Sequence, residues 1–209
     1  FKALLDPQSD HSMPAETFCL NFDPNETNLK AALLKICDQA EQAIRNGALL
    51  VVLTDRDMQK GKIPIHALMA TGAVHHRLVQ TGLRCQANIL VETATARDPH
   101  HFACLIGFGA TAIHPYLSYR LLHSMIESGE LIMDTWHAYK NYRKGINKGL
   151  LKILSKMGIS AVASYRGAQL FEAVGLDDEV VDLCFRDTGS GIAAEATEQI
   201  FQPFYTTKK

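Results

Sequence analysis

An α/β fold of repeated strand-helix units, with a mostly parallel sheet or partial barrel and a short C-terminal tail, is what this sequence predicts. Three observations lead there. Short apolar runs without alternation recur in "ALLVVLTDRD", "ANILVET" and "ATAIHPY", the pattern of strands covered on both faces. Helical stretches separate them, and strands alternating with helices imply parallel pairing through crossover connections. No low-complexity tract or linker interrupts residues 24 to 185.

The elements follow in order. Residues 1 to 22 show no clear period, and "DPQSDHSMP" reads as loop because Pro, Ser and Asp favour turns. In "NETNLKAALLKICDQAEQAIRNG", Leu29, Leu33, Ile36, Ala40 and Ile44 recur at helical spacing, and Gly47 stands where a left-handed cap is wanted. The first buried strand then ends in Thr54, Asp55, Arg56 and Asp57. Pro64 is placed to open the second helix, "IPIHALMATGAVHHRLVQTG", with Gly82 as its stop. "ANILVET" is the second strand, "DPHHFACLIGFG" a short helix and "ATAIHPY" the third strand. Residues 116 to 157 read as a long helical region in which Gly145 and Gly149 argue against an unbroken helix. "ISAVASYRG" is expected to be a fourth strand and "AQLFEAVG" a final helix.

Composition sets limits on function. A chain of 209 residues fits one domain, or one domain plus a fragment. Its 21 Lys and Arg nearly balance 22 Asp and Glu, so no global field draws it to nucleic acid or to an anionic membrane. Neither partner is expected. Cys19, Cys37, Cys85, Cys104 and Cys184 are odd in number, widely spaced and without a C-x-x-C pair. That pattern argues against a disulfide framework, a zinc site or a local iron-sulfur motif. Packing as small hydrophobes in a reducing cytoplasmic setting is the simplest reading. No run reaches the roughly 20 apolar residues that span a bilayer, and the N-terminus lacks a signal pattern. A start at Phe1 rather than Met suggests a piece of something longer.

Ligands of parallel sheets collect at the carboxyl ends of the strands. Those ends carry Asp55 and Arg56, Glu92 and Thr93, His114, and Ser164 with Tyr165 and Arg166. They would form a polar cleft, or a hydrogen-bonded surface that fixes loops; the residues alone leave both open. His75-His76 and His100-His101 lack the i, i+4 spacing that sets two imidazoles on one metal, so packing or surface roles are favoured. Lys144, Lys148, Lys152 and Lys156 lie at four-residue intervals along one helix face and read as a solvated or docking face. "GFGATA" and "ATGAVHH" lack the full G-x-G-x-x-G pattern, so they are weak support for a dinucleotide site.

Five stretches, "LLVVLTDRD", "ALMATGAVHHRLV", "LRCQANILVETATARDPHHFACLIGFGATAIHPYL", "NYRKGINKGLLKILSKMGISAVASYRGAQLFEAVGL" and "DEVVDLCF", closely resemble the central domain of the glutamate synthase large subunit. The resemblance runs collinearly from about residue 18 to 185. It implies an oxidoreductase of ammonia assimilation and glutamate biosynthesis that moves the amide nitrogen of glutamine onto 2-oxoglutarate. In that family an amidotransferase domain with an N-terminal cysteine nucleophile releases ammonia. A flavin-binding barrel, holding FMN and assisted by an iron-sulfur cluster, reduces the imine. The central domain is an α/β connector between them. The resemblance therefore implies no catalytic residue, metal or cofactor within this stretch. Its implied partners are the amidotransferase and FMN domains of a parent chain, with a small electron-donating subunit beyond them.

The ending departs from that family. "RDTGSGIAAEATEQIFQPFYTTKK" resembles a histidine-kinase-type ATPase, with an aspartate box at Asp187, Gly189 and Gly191 and an aromatic box at Phe201, Pro203 and Phe204. The resemblance implies an aspartate bonded to adenine, with glycines that let the backbone approach the nucleotide. The asparagine-bearing helix that would hold Mg²⁺ and the second glycine box have no counterpart here. The expectation is a vestigial motif joined near Arg186, giving residues 1 to 185 as central domain and 186 to 209 as a remnant that is no independent domain. A sensor histidine kinase fragment and a stand-alone interaction module remain as alternatives.

Overall fold

The computed structural model describes residues 13–186. Four strands form one parallel sheet: β1 (Ala15–Cys19), β3 (Leu50–Thr54), β5 (Asn88–Glu92) and β6 (Ala112–His114), side by side in that order. Two further short strands, β2 (Asn21–Phe22) and β4 (Ile63–Pro64), pair antiparallel beside it. Among the described residues the sheet runs from β1 at one edge to β6 at the other.

The three crossovers are α1 (Leu29–Arg45), α2 (Ala67–Gln80) and α3 (Pro99–Gly107). Asn28 caps α1 by accepting from Ala31 N at 2.8 Å, and its buried stripe is Leu33, Ile36, Cys37, Ala40 and Ile44. Asp98 caps α3 by accepting from His100 N at 2.9 Å and His101 N at 3.2 Å. These bonds, the one from His101 first, hold the Asp98 carboxyl below its ordinary range. Successive strand residues face opposite ways. Val51, Leu53, Ile89 and Val91 join the helices in the main core, while Leu50, Val52 and Leu90 form a smaller cluster on the other face.

The second half adds α4 (Tyr116–Glu127), α5 (Thr135–Lys156), the single turn α6 (Val162–Tyr165) and α7 (Asp178–Cys184). α5 packs on α3 and α4, and α7 packs on α2. α7 sits so close that a Cβ on Gly72 would lie 1.9 Å from the Cys184 carbonyl oxygen. Cys184 and Phe185 are both buried, and the Phe185 ring meets Phe108 edge-on at 5.1 Å.

Several expectations need correction. Residues 15–19, in a stretch without a clear period, form edge strand β1, whose register comes from β3 rather than from an apolar pattern of its own. The helix expected at Pro64 opens at Ala67 with His66 as its cap, because Pro64 pairs with Asn21 in the small ribbon. Gly145 and Gly149 do not interrupt α5; Gly149 admits Pro99, which a Cβ would approach to 2.3 Å. "ISAVASYRG" is not a strand: Ile159 and Tyr165 turn into a pocket made by Ala103 and Leu154 instead of pairing with β6. "AQLFEAVG" is not a helix. Gln169 has φ 53, which stops helical propagation, and the final helix comes later at α7.

Candidate functional site

Parallel register sets the candidate site. Thr54, Glu92 and His114 are direct neighbours across β3, β5 and β6, forming one rank at the carboxyl end of the sheet. The ladder continues one step further, with Asp55 N donating to Glu92 O at 3.2 Å and Thr93 N to His114 O at 3.1 Å. Asp55 and Thr93 thereby form the next rank, facing the opposite side.

Each rank is closed by its own bonds. Glu92 accepts from Thr54 Oγ1 at 2.8 Å, stands 3.0 Å from His114 Nδ1, and pairs with Arg56 at 3.1 Å. Asp55 accepts from Thr93 Oγ1 at 2.5 Å and from Ala94 N at 3.1 and 3.2 Å. Asp55 and Glu92 are both buried residues. The Arg56 guanidinium lies 4.8 Å over the Tyr116 ring. Burial, and then a hydrogen bond to Asp55, push the Tyr116 phenol up to about 12. The loop between β5 and α3 is held from outside by Ser118 Oγ donating to Ala96 O and Tyr142 Oη donating to Arg97 O, both at 3.1 Å.

Asp55, Arg56, Glu92, Thr93 and His114 thus come together. Ser164, Tyr165 and Arg166 do not. Gly167 N donates to the carbonyl of Gly107, the last residue of α3, at 2.8 Å, which puts that segment at the amino ends of the strands. Residue-by-residue reading missed Tyr116 as a member; its signal was its place two residues past His114, just after the third strand. An open groove runs outward from the cluster between Arg56, His114, Leu117, Tyr119, Leu121 and Tyr139. Asp187, Gly189 and Gly191, like Phe201, Pro203 and Phe204, lie outside the described residues.

What this arrangement can do chemically follows from its occupancy. A general base needs a lone pair directed at substrate, and both buried carboxylates spend most of theirs on neighbours within the protein. A flavin phosphate needs free backbone donors, whereas Ala94 N is donated to Asp55 and Arg56 N to Thr54 Oγ1. An iron-sulfur cluster needs converging thiolates, and among the described residues no three His, Cys, Asp or Glu side chains are arranged to hold a metal. His75 is tied to Arg84, whose Nε donates to His75 Nδ1 at 2.9 Å. Lys144, Lys148, Lys152 and Lys156 are all exposed along α5. No helix among the described residues is long and apolar enough to cross a membrane.

Comparison with known proteins gives this geometry its context. The family model described as Glutamate synthase central domain matches residues 1–177. The chain is 46% identical over 187 residues to ferredoxin-dependent glutamate synthase 2, chloroplastic, of Arabidopsis thaliana, covering 84% of this chain and 12% of that protein. It is 45% identical over 163 residues to the NADPH glutamate synthase large chain of Bacillus subtilis (strain 168), covering 78% and 11%. It is 41% identical over 172 residues to the NADH glutamate synthase of Schizosaccharomyces pombe, covering 81% and 8%. The chain therefore spans about a tenth of the length of the curated relatives it matches. A family match across most of the residues, on a parallel sheet whose strand ends are locked by internal bonds, leads to one conclusion: the chain belongs to the glutamate synthase central domain family.

Proposed function

We propose that residues 1 to 185 act as the connecting domain of a glutamate synthase large subunit, holding an amidotransferase domain and an FMN domain in register without contributing a reacting group. The parent reaction would transfer the glutamine amide nitrogen to 2-oxoglutarate, with FMN and an iron-sulfur cluster carried by other domains. The carrying observation is that Asp55 and Glu92 are bonded to groups of the protein itself. Buried carboxylates at the usual ligand position have been turned into fasteners of the strand-end loops. The relatives named for ferredoxin, NADPH and NADH match this chain at similar identity, so the role would not vary with the electron donor or with a small electron-donating subunit. Five free thiols suit a reducing, cytoplasmic setting.

The experiment mixes the 209-residue chain with separately produced amidotransferase and flavin domains of a glutamate synthase. A domain that binds its neighbours gains stability by linkage, so its melting temperature should rise with their concentration while the chain alone forms no glutamate. Glutamine-dependent turnover by the chain alone would refute the reading, as would indifference to both domains.

For residues 186 to 209 we propose a foreign remnant bearing a vestigial nucleotide motif at Asp187, Gly189 and Gly191. Its support is the two-box resemblance in the sequence, placed after the end of the family match at residue 177. Reading genomic DNA through the codons for Phe185 to Asp187 tests the junction. Micromolar Mg-ATP binding that Asp187→Asn abolishes would instead favour a sensor-kinase fragment.

A further inference from the structure

The two edges of the parallel sheet are finished differently. Edge strands invite pairing with another chain unless they are short or carry Pro or Lys. Strand β6 is three residues long and Pro115 follows it directly. Strand β1 is five residues long, holds neither Lys nor Pro, and exposes Glu16, Thr17 and Cys19. Hydrogen bonding sets which of its groups face outward. Pro14 O accepts from Leu50 N at 3.0 Å and Leu20 N donates to Thr54 O at 2.8 Å. In the parallel register with β3, even-numbered residues therefore spend their peptide groups on β3, and Ala15, Thr17 and Cys19 direct N–H and C=O to the open edge. Those groups bond to no described residue.

A groove runs beside that edge. Two cavities of about 640 and 610 Å³ lie along β1, and Phe18 and Gln39 line both. Their far wall is the outer flank of α1, which presents Lys35, Gln39, Gln42 and Asn46. This flank carries one charge among neutral amides, whereas Asp38 and Glu41 turn toward Arg77 on α2. Helix α1 packs on β1 and β3 alike, so it stands between them.

We propose that the chain forms a symmetric dimer through this edge, with β1 of each copy pairing antiparallel about a two-fold axis at Thr17. Two-fold pairing is self-complementary. Thr17 meets Thr17 and Ala15 meets Cys19 of the second copy, so every outward peptide group meets another outward one. A register moved by one residue sets outward groups against groups already bonded to β3. Thr opposite Thr is also a favourable cross-strand pair. The helices fit the same symmetry. Strands lie about 4.8 Å apart, so two α1 axes stand two spacings apart, about 10 Å, within the range of about 8–10 Å at which helices pack. Running antiparallel and level at Gln39, they bring Lys35 of one copy opposite Ala43 of the other rather than opposite a second Lys35. A second copy is thus the occupant that the outward groups, the groove and the neutral flank select together. The inference is independent of the connecting role proposed above, and its failure would leave the domain-mixing result unchanged.

Sedimentation velocity of the full 209-residue chain, from micromolar to millimolar concentration, tests it. A concentration-dependent species of twice 23.1 kDa is expected. Thr17→Lys and Thr17→Glu each set like charges directly opposite across the axis, and each should weaken the dimer roughly tenfold. Because Thr17 is exposed and its peptide groups make no internal bond, both variants should keep the wild-type circular dichroism. An equimolar mixture of the two should restore the dimer, since Lys then faces Glu. A chain that is monomeric at every concentration, a dimer that Thr17→Lys leaves intact, or a mixture that restores nothing would overturn the inference. So would a monomer whose Thr17 and Cys19 amides gain exchange protection only when the amidotransferase or flavin domain is added, which would assign the edge to a neighbouring domain.

Discussion

Gly72→Ala puts the seating of α7 to a direct test. A Cβ at position 72 would stand 1.9 Å from the Cys184 carbonyl oxygen and 3.1 Å from its carbonyl carbon. Because the obstacle is backbone, no rotamer change relieves it. Helix α7 must retreat by about 1.5 Å to restore ordinary contact, and overpacking of this kind costs about 1–3 kcal/mol. The retreat also loosens Cys184 and Phe185, both buried in the main core; losing much of one large apolar burial adds about 1.5–2 kcal/mol. The total is about 2.5–5 kcal/mol, which for a body of this size lowers the melting temperature by about 10 °C. Differential scanning calorimetry measures it, with Gly145→Ala as the control. That helical glycine has open space around its Cβ position, and alanine there should stabilise by up to about 1 kcal/mol. Hydrogen exchange at residues 178–185 should accelerate in Gly72→Ala. A Gly72→Ala chain that melts within a degree or two of wild type would show that α7 is not seated on α2, and the proposed boundary at residue 185 would fail.

Other outcomes can be checked alongside. Asp55→Asn should cost about 2–3 kcal/mol in urea unfolding, because an amide cannot accept from both Thr93 Oγ1 and Ala94 N without turning its NH₂ toward a donor. Tyr165→Phe should be neutral or stabilising by up to about 1 kcal/mol, since the buried Tyr165 hydroxyl has no hydrogen-bond partner to lose; a loss above 2 kcal/mol would contradict this. Thiol titration of the native chain should label the exposed Cys19 and Cys85 quickly and the buried Cys37 and Cys184 only on unfolding. Burial raises Cys37 from 9.0 to about 11 and Cys184 from 9.0 to about 12, while Tyr116 rises from 10.0 to about 12. Each folded-state pKa exceeds its unfolded value, so the native state holds these protons more tightly. Their contribution is complete below pH 9 and is lost as pH climbs from about 9 to 12, where the unfolding midpoint should fall steeply.

The sheet was readable where both faces of a strand are covered, because a short continuous apolar run between turn residues fits little besides a buried strand. β3 and β5 are such strands. β1 was not, since an edge strand with Glu16, Thr17 and Cys19 exposed takes its register from β3 and needs no pattern of its own. "ISAVASYRG" misled for the converse reason: its β-branched residues suit a strand, but its buried Tyr165 serves a helix-helix crevice. The strand-end rule located Asp55, Arg56, Glu92, Thr93 and His114 because parallel register is nearly fixed by strand order. It failed for Ser164 to Arg166 once the strand itself was absent. That the carboxylates would accept from Thr54, Arg56, Thr93 and Ala94 depends on side-chain geometry, which spacing along a chain does not encode.

Helix α7 also fixes how tension would enter this body. Polypeptide leaving at Phe185 departs from the helical layer, bolted to α2 through Gly72 and tied to α1 by the Lys30–Glu179 ion pair. A pull applied beyond that point would have to shear one helix along another before any strand of the sheet could unzip, so the connector would pass motion of an attached partner on as a rigid strut rather than absorbing it as a spring.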